Sequence, residues 1–396
     1  MAVISESIKS VETVTTIEAF EALVGEWDDL VRAMPRPSPF LLHGWLAEWW
    51  RHYGEGAEFA VQVARSDGRL VGALPVVVRR RAGVRVANFM GGRTAVLPDL
   101  LLAQDADPAL AVQLLERLAS GGCDVADFHG LRESSRVAAA LGPRLGLIQR
   151  IESPVLDLTA GWDAVYRDKT NAKKRNLHRR RRRQLGELGD LTVSVARELP
   201  ELQLALEEAF TLHNLRWEGR PDGSGFATPV GMRFQRAGLE RLVQLDVPRI
   251  TTLRLDGRAI AFHYWFALEG CMYVHRLAFD PDFSRWSPGL VNTLDAIESA
   301  AEEGMTRVEF LGGGERYKLE LADGLSPLYH GFGLASGARG HAYAAAQLAA
   351  IRTRLRLKQS PRLHRLYLED LAPVRRRLRR GWEATGGRFP RARGTR

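Results

Sequence analysis

The strongest constraint on the fold is an order of elements that occurs twice along the chain. An Asp-Gly turn between two apolar runs is found at 65–69 and again, 189 residues later, at 254–258. An Asp-Gly pair between such runs is typical of a tight β-hairpin. In both places a helical stretch that ends in glycine and a short apolar run follow, at 108–128 and 288–311. A shared order at a nearly constant offset indicates two copies of one α/β unit.

The composition is that of an ordinary globular protein. The chain has 396 residues, 45% of them hydrophobic, which suffices for two modest domains and argues against disordered and fibrous classes. No apolar run approaches the roughly 18 residues of a membrane span, and Glu6 and Lys9 lie where a signal peptide needs an apolar core. We therefore expect a cytoplasmic protein.

The expected fold class is α/β (α+β), with two tandem mixed-sheet units and flanking helices. We place the first unit at 1–152 and the second at 153–335. A basic helical tail, partly disordered, is expected at 336–396.

Cys123 and Cys271 lie in separate apolar segments, without the clustered spacing of a metal site. No metal is expected.

Positive charge is concentrated in two segments. The net charge is +9, yet 351–396 alone carries 15 Lys/Arg and 3 Asp/Glu, and 167–183 carries 10 Lys/Arg and one Asp. The remainder of the chain is therefore acidic. Such runs are typical of solvated helix faces. They also suit a surface that attracts phosphates, membrane headgroups or RNA, and 167–183 and 375–396 are the candidates for that role.

A glycine-rich turn marks the candidate site. The apolar run 308–311 leads into 312–318, with the sequence GGGERYK. Glycine lets a backbone turn sharply, and ligands of α/β sheets bind at the carboxyl ends of strands. The turn therefore delivers Tyr317 and Lys318 beside a strand end.

A helix start lies nearby. Ser287 suits an N-cap, Pro288 the first helical position and Gly289 the second, followed by Leu290. Free backbone N–H groups at a helix start attract phosphate, and Arg285 lies beside them. Most helices begin in this way without binding an anion.

Together these features resemble the GNAT acyltransferases, specifically their CelD-like and FemAB-like branch. The segment 213–217, HNLRW, is similar to the His-x-x-Arg-Trp segment of CelD-like proteins, and the basic arm 173–183 adds to the resemblance. The resemblance implies two GNAT-like halves and the transfer of an acyl group, such as acetyl, from acyl-coenzyme A to an amine. The acceptor would be a small molecule, a glycan or a peptide. A single glycine at Gly289 departs from the usual Arg/Gln-x-x-Gly-x-Gly/Ala pattern.

Two other functions stay open. FemAB-like relatives take the acyl group from aminoacyl-tRNA, which the basic segments would suit. A GNAT fold can also serve as a non-catalytic module that binds anionic polymers. No Ser-His-Asp order and no Walker-type glycine loop competes with these interpretations.

Acyl transfer to an amine needs a base, donors for the oxyanion and an acid for the departing thiolate. Glu309 is a candidate base, with a structural pair to Arg307 or Arg276 as the alternative. Tyr317 could protonate the sulfur, or pack at an edge. Lys318 could bind a phosphate or carboxylate, or lie in solvent. We assign binding of the acyl donor to four residues at or beside the helix start described above: Arg285, Ser287, Gly289 and Leu290.

Further candidates would contact the acceptor. His263 lies in an apolar strand and either faces substrate or is a hydrogen-bonded core residue. Arg216 and Trp217 either contact substrate or fix their helix on the sheet. Asp99 follows Pro98 in the first half and could face the same cleft. His275 and Arg276 alternate on one strand, so at most one should point into a single cleft.

Overall fold

The computed structural model describes residues 10–92, 96–217 and 225–359. The first half contains helices and strands in mixed order. Its helices are α1 (Ile17–Glu21), α2 (Val24–Arg32), α3 (His43–Tyr53), α4 (Ala109–Ser120) and α5 (Arg136–Leu141). Its strands are β1 (Ser10–Val14), β2 (Ala57–Phe59), β3 (Val61–Ser66), β4 (Arg69–Leu74), β5 (Val76–Arg81), β6 (Val84–Phe89), β7 (Leu101–Leu102), β8 (Val125–Arg132) and β9 (Gly146–Ile151).

The second half follows the same plan. Its strands are β10 (Pro154–Asp157), β11 (Leu191–Ala196), β12 (Pro248–Leu255), β13 (Arg258–Leu268), β14 (Cys271–Phe279), β15 (Arg307–Glu309), β16 (Gly324–Leu325) and β17 (Leu328–Gly333). Its helices are α6 (Trp162–Lys169), α7 (Ala172–Gly186), α8 (Leu199–Trp217), α9 (Pro229–Val243), α10 (Pro288–Glu302), α11 (Arg316–Leu321) and α12 (Gly337–Gln359). The expected class, mixed-sheet units with flanking helices, is confirmed.

Both Asp-Gly hairpins form where the sequence predicts them. Asp67 and Gly68 have φ angles of 49° and 83°, and Asp256 and Gly257 have 50° and 78°. Two consecutive residues with positive φ define the type I′ turn, whose twist matches that of paired strands. The turns join β3 to β4 and β12 to β13, each pair antiparallel.

The sheet of the first half is divided, which the sequence does not predict. Strands β1-β3-β4-β7 form one sheet and β2-β5-β6-β8-β17-β9 another, whereas the second half forms one sheet, β11-β12-β13-β14-β15-β10-β16. The break falls at Ala60, between β2 and β3, and at Pro75, between β4 and β5. Proline has no N–H to donate, so a strand is easily interrupted there.

One strand of the second half lies in the sheet of the first half. Strand β10 lies between β15 and β16 of the second sheet, and β17 lies between β8 and β9 of the first. The second unit, which we place at 153–335, therefore includes a strand at 328–333 that belongs to the sheet of the first half. Strand β17 of the second half thus completes backbone hydrogen bonding in the sheet of the first half.

Apolar packing also joins the halves. Trp45 of α3 packs on Phe234 of α9 and on Phe266 of β13, with ring centroids 4.6 and 5.5 Å apart. These rings are buried in one cluster that spans both halves.

The beginning of the expected tail is part of this fold. Helix α12 packs through Tyr343, Leu348 and Ile351 on Phe332 and its neighbours in the first half. The segment 375–396 and the disorder expected near the chain end lie outside the described residues. Among the described helices, none is long and apolar enough to cross a membrane.

Candidate functional site

The candidate site is a cleft at the point where β14 and β15 separate. These parallel strands pair only from Cys271 opposite Arg307 to Tyr273 opposite Glu309. Strand β14 continues to Phe279, but β15 ends, so the sheet opens beyond this point. A cavity of about 1060 Å³ fills the opening and is lined by residues of both halves and of α12. Its size is that of a small-molecule or cofactor site.

A β-bulge shapes one wall. Arg276 pairs with Tyr264 and Val274 with Trp265, so that His275 has no partner opposite. A bulge breaks the strict alternation of side chains. Both His275 and Arg276 line the cavity, but the His275 ring packs among Phe40, Trp45 and Phe266 in the core.

Arg276 is the most informative side chain of this wall. It donates a hydrogen bond from Nη1 to the carbonyl oxygen of its neighbour His275, at 2.7 Å, and has no acidic partner among the described residues. Burial lowers the pKa of its guanidinium, but arginine stays charged at neutral pH. A cation that lines a cavity without a carboxylate nearby attracts a negative group of a ligand.

The start of α10 forms the second wall. Ser287, Gly289 and Leu290 line the cavity, and donor binding by these residues stays a prediction. Ser287 has a φ of 54°, and its side chain makes no capping hydrogen bond to the described chain. A Cβ added to Gly289 would lie 2.8 Å from Cδ1 of Phe279, so glycine lets the helix start approach β14. Arg285 is placed differently: its guanidinium stacks 3.7 Å from the Trp286 ring and does not line the cavity.

The glycine-rich turn supplies the third wall. Gly313 has a φ of 128°, a conformation that glycine allows, and α11 begins soon afterwards at Arg316. Tyr317 and Lys318 both line the cavity. Burial, with a smaller effect of Glu315, raises the pKa of Tyr317, so its phenol keeps its proton at neutral pH. Lys318 is only 6% exposed and its Nζ lies 2.9 Å from Oε2 of Glu315.

The structure places Glu309 outside the cavity lining, although the sequence proposes it as the base. Its side chain is 1% exposed. Its Oε1 lies 3.2 Å from Nη2 of Arg132 and 2.9 Å from Nη2 of Arg307. The second of these contacts is the alternative ion pair that the sequence suggests. The side chain is enclosed between two guanidinium groups, one from each half.

Two other predicted residues are also placed away from the cavity. Asp99 is turned toward α5 and accepts hydrogen bonds from the backbone N–H groups of Leu100, Arg136 and Val137. Its carboxylate binds a helix start rather than facing the cleft. His263 is 1% exposed, and neither ring nitrogen has a hydrogen-bond partner within 10–92, 96–217 and 225–359.

The end of α8 completes the cavity. Arg216 lies over the Phe279 ring, 4.6 Å from its centroid, and Trp217 stacks on His213 at 5.7 Å. All of these side chains line the cavity. The contact of Arg216 with Phe279 fixes α8 against β14, which is the structural alternative; contact of Arg216 and Trp217 with substrate stays a prediction.

The buried histidines predict a loss of stability in acid. Burial, and then the charge of Arg276, lower the pKa of His213 to about 4. Burial, and then Lys318, lower that of His263 to about 3. Below the unfolded value of about 6.5, the unfolded chain binds protons that these folded histidines do not. Their contribution is therefore intact above about pH 6.5 and is lost as the pH falls toward 4 and 3.

Between pH 7 and pH 5 we expect each of these histidines to lower the free energy of unfolding by about 2 kcal/mol. Urea unfolding at both pH values would measure it. His213→Gln should reduce the difference between the two pH values by about that amount. His341→Gln, a change at an exposed histidine, is the matched control. An unchanged difference in His213→Gln would contradict this origin.

We compared the chain with protein families, with curated proteins and with solved structures. Residues 172–319 match the family described as "Acetyltransferase (GNAT) domain". A search of curated proteins by sequence finds no match. Among solved structures, FemX is similar with a TM-score of 0.54 at 11% identity, over 82% of this chain and 96% of that one.

Two further solved structures share the fold. L-PGS from Bacillus licheniformis has a TM-score of 0.52 at 14% identity, over 86% of this chain and 99% of that one. The C-terminal domain of a putative lysylphosphatidylglycerol synthetase from Agrobacterium fabrum has a TM-score of 0.51 at 16% identity, over 84% and 96%. Residues 172–319 thus match a GNAT acetyltransferase domain, and the chain shares its fold with FemX and L-PGS.

Proposed function

We propose that the protein transfers an acyl group, such as acetyl, from an acyl-coenzyme A donor to an amine acceptor in the cavity between β14 and β15. The observation that carries the proposal is Arg276, a cation without an acidic partner among the described residues, which lines this cavity within the GNAT domain. A negatively charged donor, and the oxyanion formed from its thioester carbonyl, both need such a group.

The residues present fit a donor of this kind. The cavity volume of about 1060 Å³ lies at the upper end of the range for cofactor sites. The start of α10, at Ser287, Gly289 and Leu290, would hold the phosphates through its backbone N–H groups. The donor supplies the thioester; the chain's own residues position it and move the protons.

Arg276 would stabilise the negative charge that develops on the carbonyl oxygen as the amine nitrogen attacks the carbonyl carbon. Tyr317, whose phenol keeps its proton at neutral pH because burial raises its pKa, would protonate the sulfur as the carbon–sulfur bond breaks. Glu315 lines the cavity and would accept the proton that leaves the amine, in place of Glu309. The products are an amide and a free thiol.

A second candidate is transfer from aminoacyl-tRNA, and the surface of α7 favours it. Three cations of this helix have acidic partners: Lys174 with Glu320, Arg182 with Asp295 and Arg183 with Glu187. Lys173 and Arg180 are exposed, and within the described part of the chain neither makes an ion pair. Free cations on an exposed helix would suit an RNA backbone, or an anionic polymer bound without catalysis.

A thermal-shift titration separates these candidates. Acetyl-coenzyme A, a longer acyl-coenzyme A, and total aminoacyl-tRNA would each be added to the full chain. A ligand at 100 times its dissociation constant adds about 2.7 kcal/mol of stability. We expect stabilisation by an acyl-coenzyme A and release of thiol when an amine is supplied. Stabilisation by aminoacyl-tRNA alone would reject the proposal in favour of the second candidate. A cytoplasmic location would suit either donor.

A further inference from the structure

Three side chains with metal-binding groups meet on one face of the first sheet. Asp127 and His129 lie two residues apart on β8, and successive residues of a strand point to opposite faces, so both point the same way. His330 lies on β17, the strand of the second half that joins the first sheet, and pairs directly with His129. Directly opposed residues bring their Cβ atoms to about 5 Å of each other.

The donor atoms converge on one small volume. Oδ1 of Asp127 lies 2.7 Å from Nε2 of His330 and 3.2 Å from Nε2 of His129. The ligand atoms of all three residues lie within 4.8 Å of one another. The two imidazole rings are stacked, with centroids 3.6 Å apart. The Nε2 atoms of His129 and His330 therefore both face Oδ1 of Asp127.

We propose that Asp127, His129 and His330 form a binding site for a divalent transition-metal ion such as Zn²⁺. Neutral imidazole nitrogen and carboxylate oxygen are ligands that Zn²⁺ prefers, at metal distances of about 2.0–2.2 Å. Ligand atoms around such an ion lie about 3.4 Å apart in a tetrahedron. The separation of 3.2 Å between Asp127 Oδ1 and His129 Nε2 is close to this value, and that of 2.7 Å between Asp127 Oδ1 and His330 Nε2 is somewhat shorter.

The surroundings leave the ion room for a further ligand. Asp127 and His330 are buried and His129 is partly exposed, which gives the site a rigid base and one open side. All three line the large cavity. Three protein ligands leave at least one coordination position free, as in catalytic rather than structural zinc sites. That position faces the cavity and would take water or an oxygen or nitrogen atom of a bound molecule.

The sequence predicts no metal because the three residues lack a spacing signature. His330 lies 203 residues after Asp127. His330 reaches β8 only because β17 lies in the first sheet. The inference concerns the first half, and its binding test does not depend on whether the cavity transfers an acyl group.

Calorimetric titration of the tag-free full chain tests the site. The protein is first treated with a chelator and then titrated with ZnCl₂ alone. We expect saturable binding of one ion per chain. His129→Gln and His330→Gln should each weaken binding by at least about 100-fold, the upper end of what changes outside the ligand shell produce. His341→Gln, at an exposed histidine of α12, should leave it unchanged.

A second readout covers variants that fold poorly. Co²⁺ added to the wild-type chain should give the intense visible absorption of a low-coordinate site, and Zn²⁺ should abolish it by competition. Circular dichroism reports whether each variant is folded. No saturable binding to the wild type, equal affinity in the folded His129→Gln and His330→Gln variants, or the weak spectrum of hexa-aqua Co²⁺ would each overturn the proposal. The three residues would then form a hydrogen-bonded cluster.

Discussion

Arg276→Gln is expected to lower the turnover number about 100-fold, the effect of removing one oxyanion donor, with a much smaller change in the apparent donor constant. The reason is that a charge which faces a developing oxyanion acts mainly in the transition state. Steady-state kinetics with an acyl-coenzyme A and a small amine would measure both constants.

The same substitution should not destabilise the protein. Arg276 has no acidic partner among the described residues, so folding leaves its charge uncompensated, and the neutral amide of Gln removes that cost. We expect a free energy of unfolding equal to or above that of the wild type. This combination of lost turnover and retained stability is typical of a residue that serves function rather than folding.

Arg285→Gln is the matched control. It removes an arginine near the same helix start, but one whose guanidinium stacks on Trp286 outside the cavity. Its turnover number should stay near the wild-type value. Arg276→Lys, which keeps the charge, should recover part of the loss. A wild-type turnover number in Arg276→Gln would show that the oxyanion lies elsewhere.

Glu309→Gln is expected to lower the free energy of unfolding by about 3 kcal/mol. Glu309 is buried between Arg132 of β8 and Arg307 of its own strand. Its removal leaves the largely buried Arg132 without its acidic partner. Because this pair joins β8 to β15, the loss also weakens the contact between the halves. Urea unfolding at pH 7 would measure the change.

The kinetics of the same variant separate the two roles considered for Glu309. If the carboxylate serves the fold, activity per folded molecule should stay close to that of the wild type. A stable protein with little turnover would instead identify Glu309 as the base. Glu320→Gln is the control for stability: its ion pairs with Arg316 and Lys174 lie near the surface, so the change should stay within about 1 kcal/mol.

Features that depend on neighbouring residues could be predicted from the sequence. The Asp-Gly hairpins at 67–68 and 256–257 have the positive φ angles that their residue types favour. Gly289 lies at the second position of α10, and Tyr317 and Lys318 follow a glycine-rich turn into the cavity. The backbone preferences behind these predictions act between residues that are close in the chain. The sequence by itself therefore determined the hairpins, the helix start and the turn.

Features that depend on distant segments were decided only by the tertiary structure. The bulge at His275 brings Arg276 into the cavity, and it depends on the register between β13 and β14. The sequence suggests that Asp99 faces the cleft, but the fold brings the start of α5 to its carboxylate.

The contacts between the halves have the same origin. Glu309 is predicted to face the cleft, but its side chain pairs with Arg132 on β8 of the other half instead. Asp127, His129 and His330 meet because β17 crosses into the first sheet. The sequence determined the hairpins, the helix start and the turn through local backbone preferences. The crossing of β17 and the strand register bring together groups up to 203 residues apart, and only the complete fold decides those contacts.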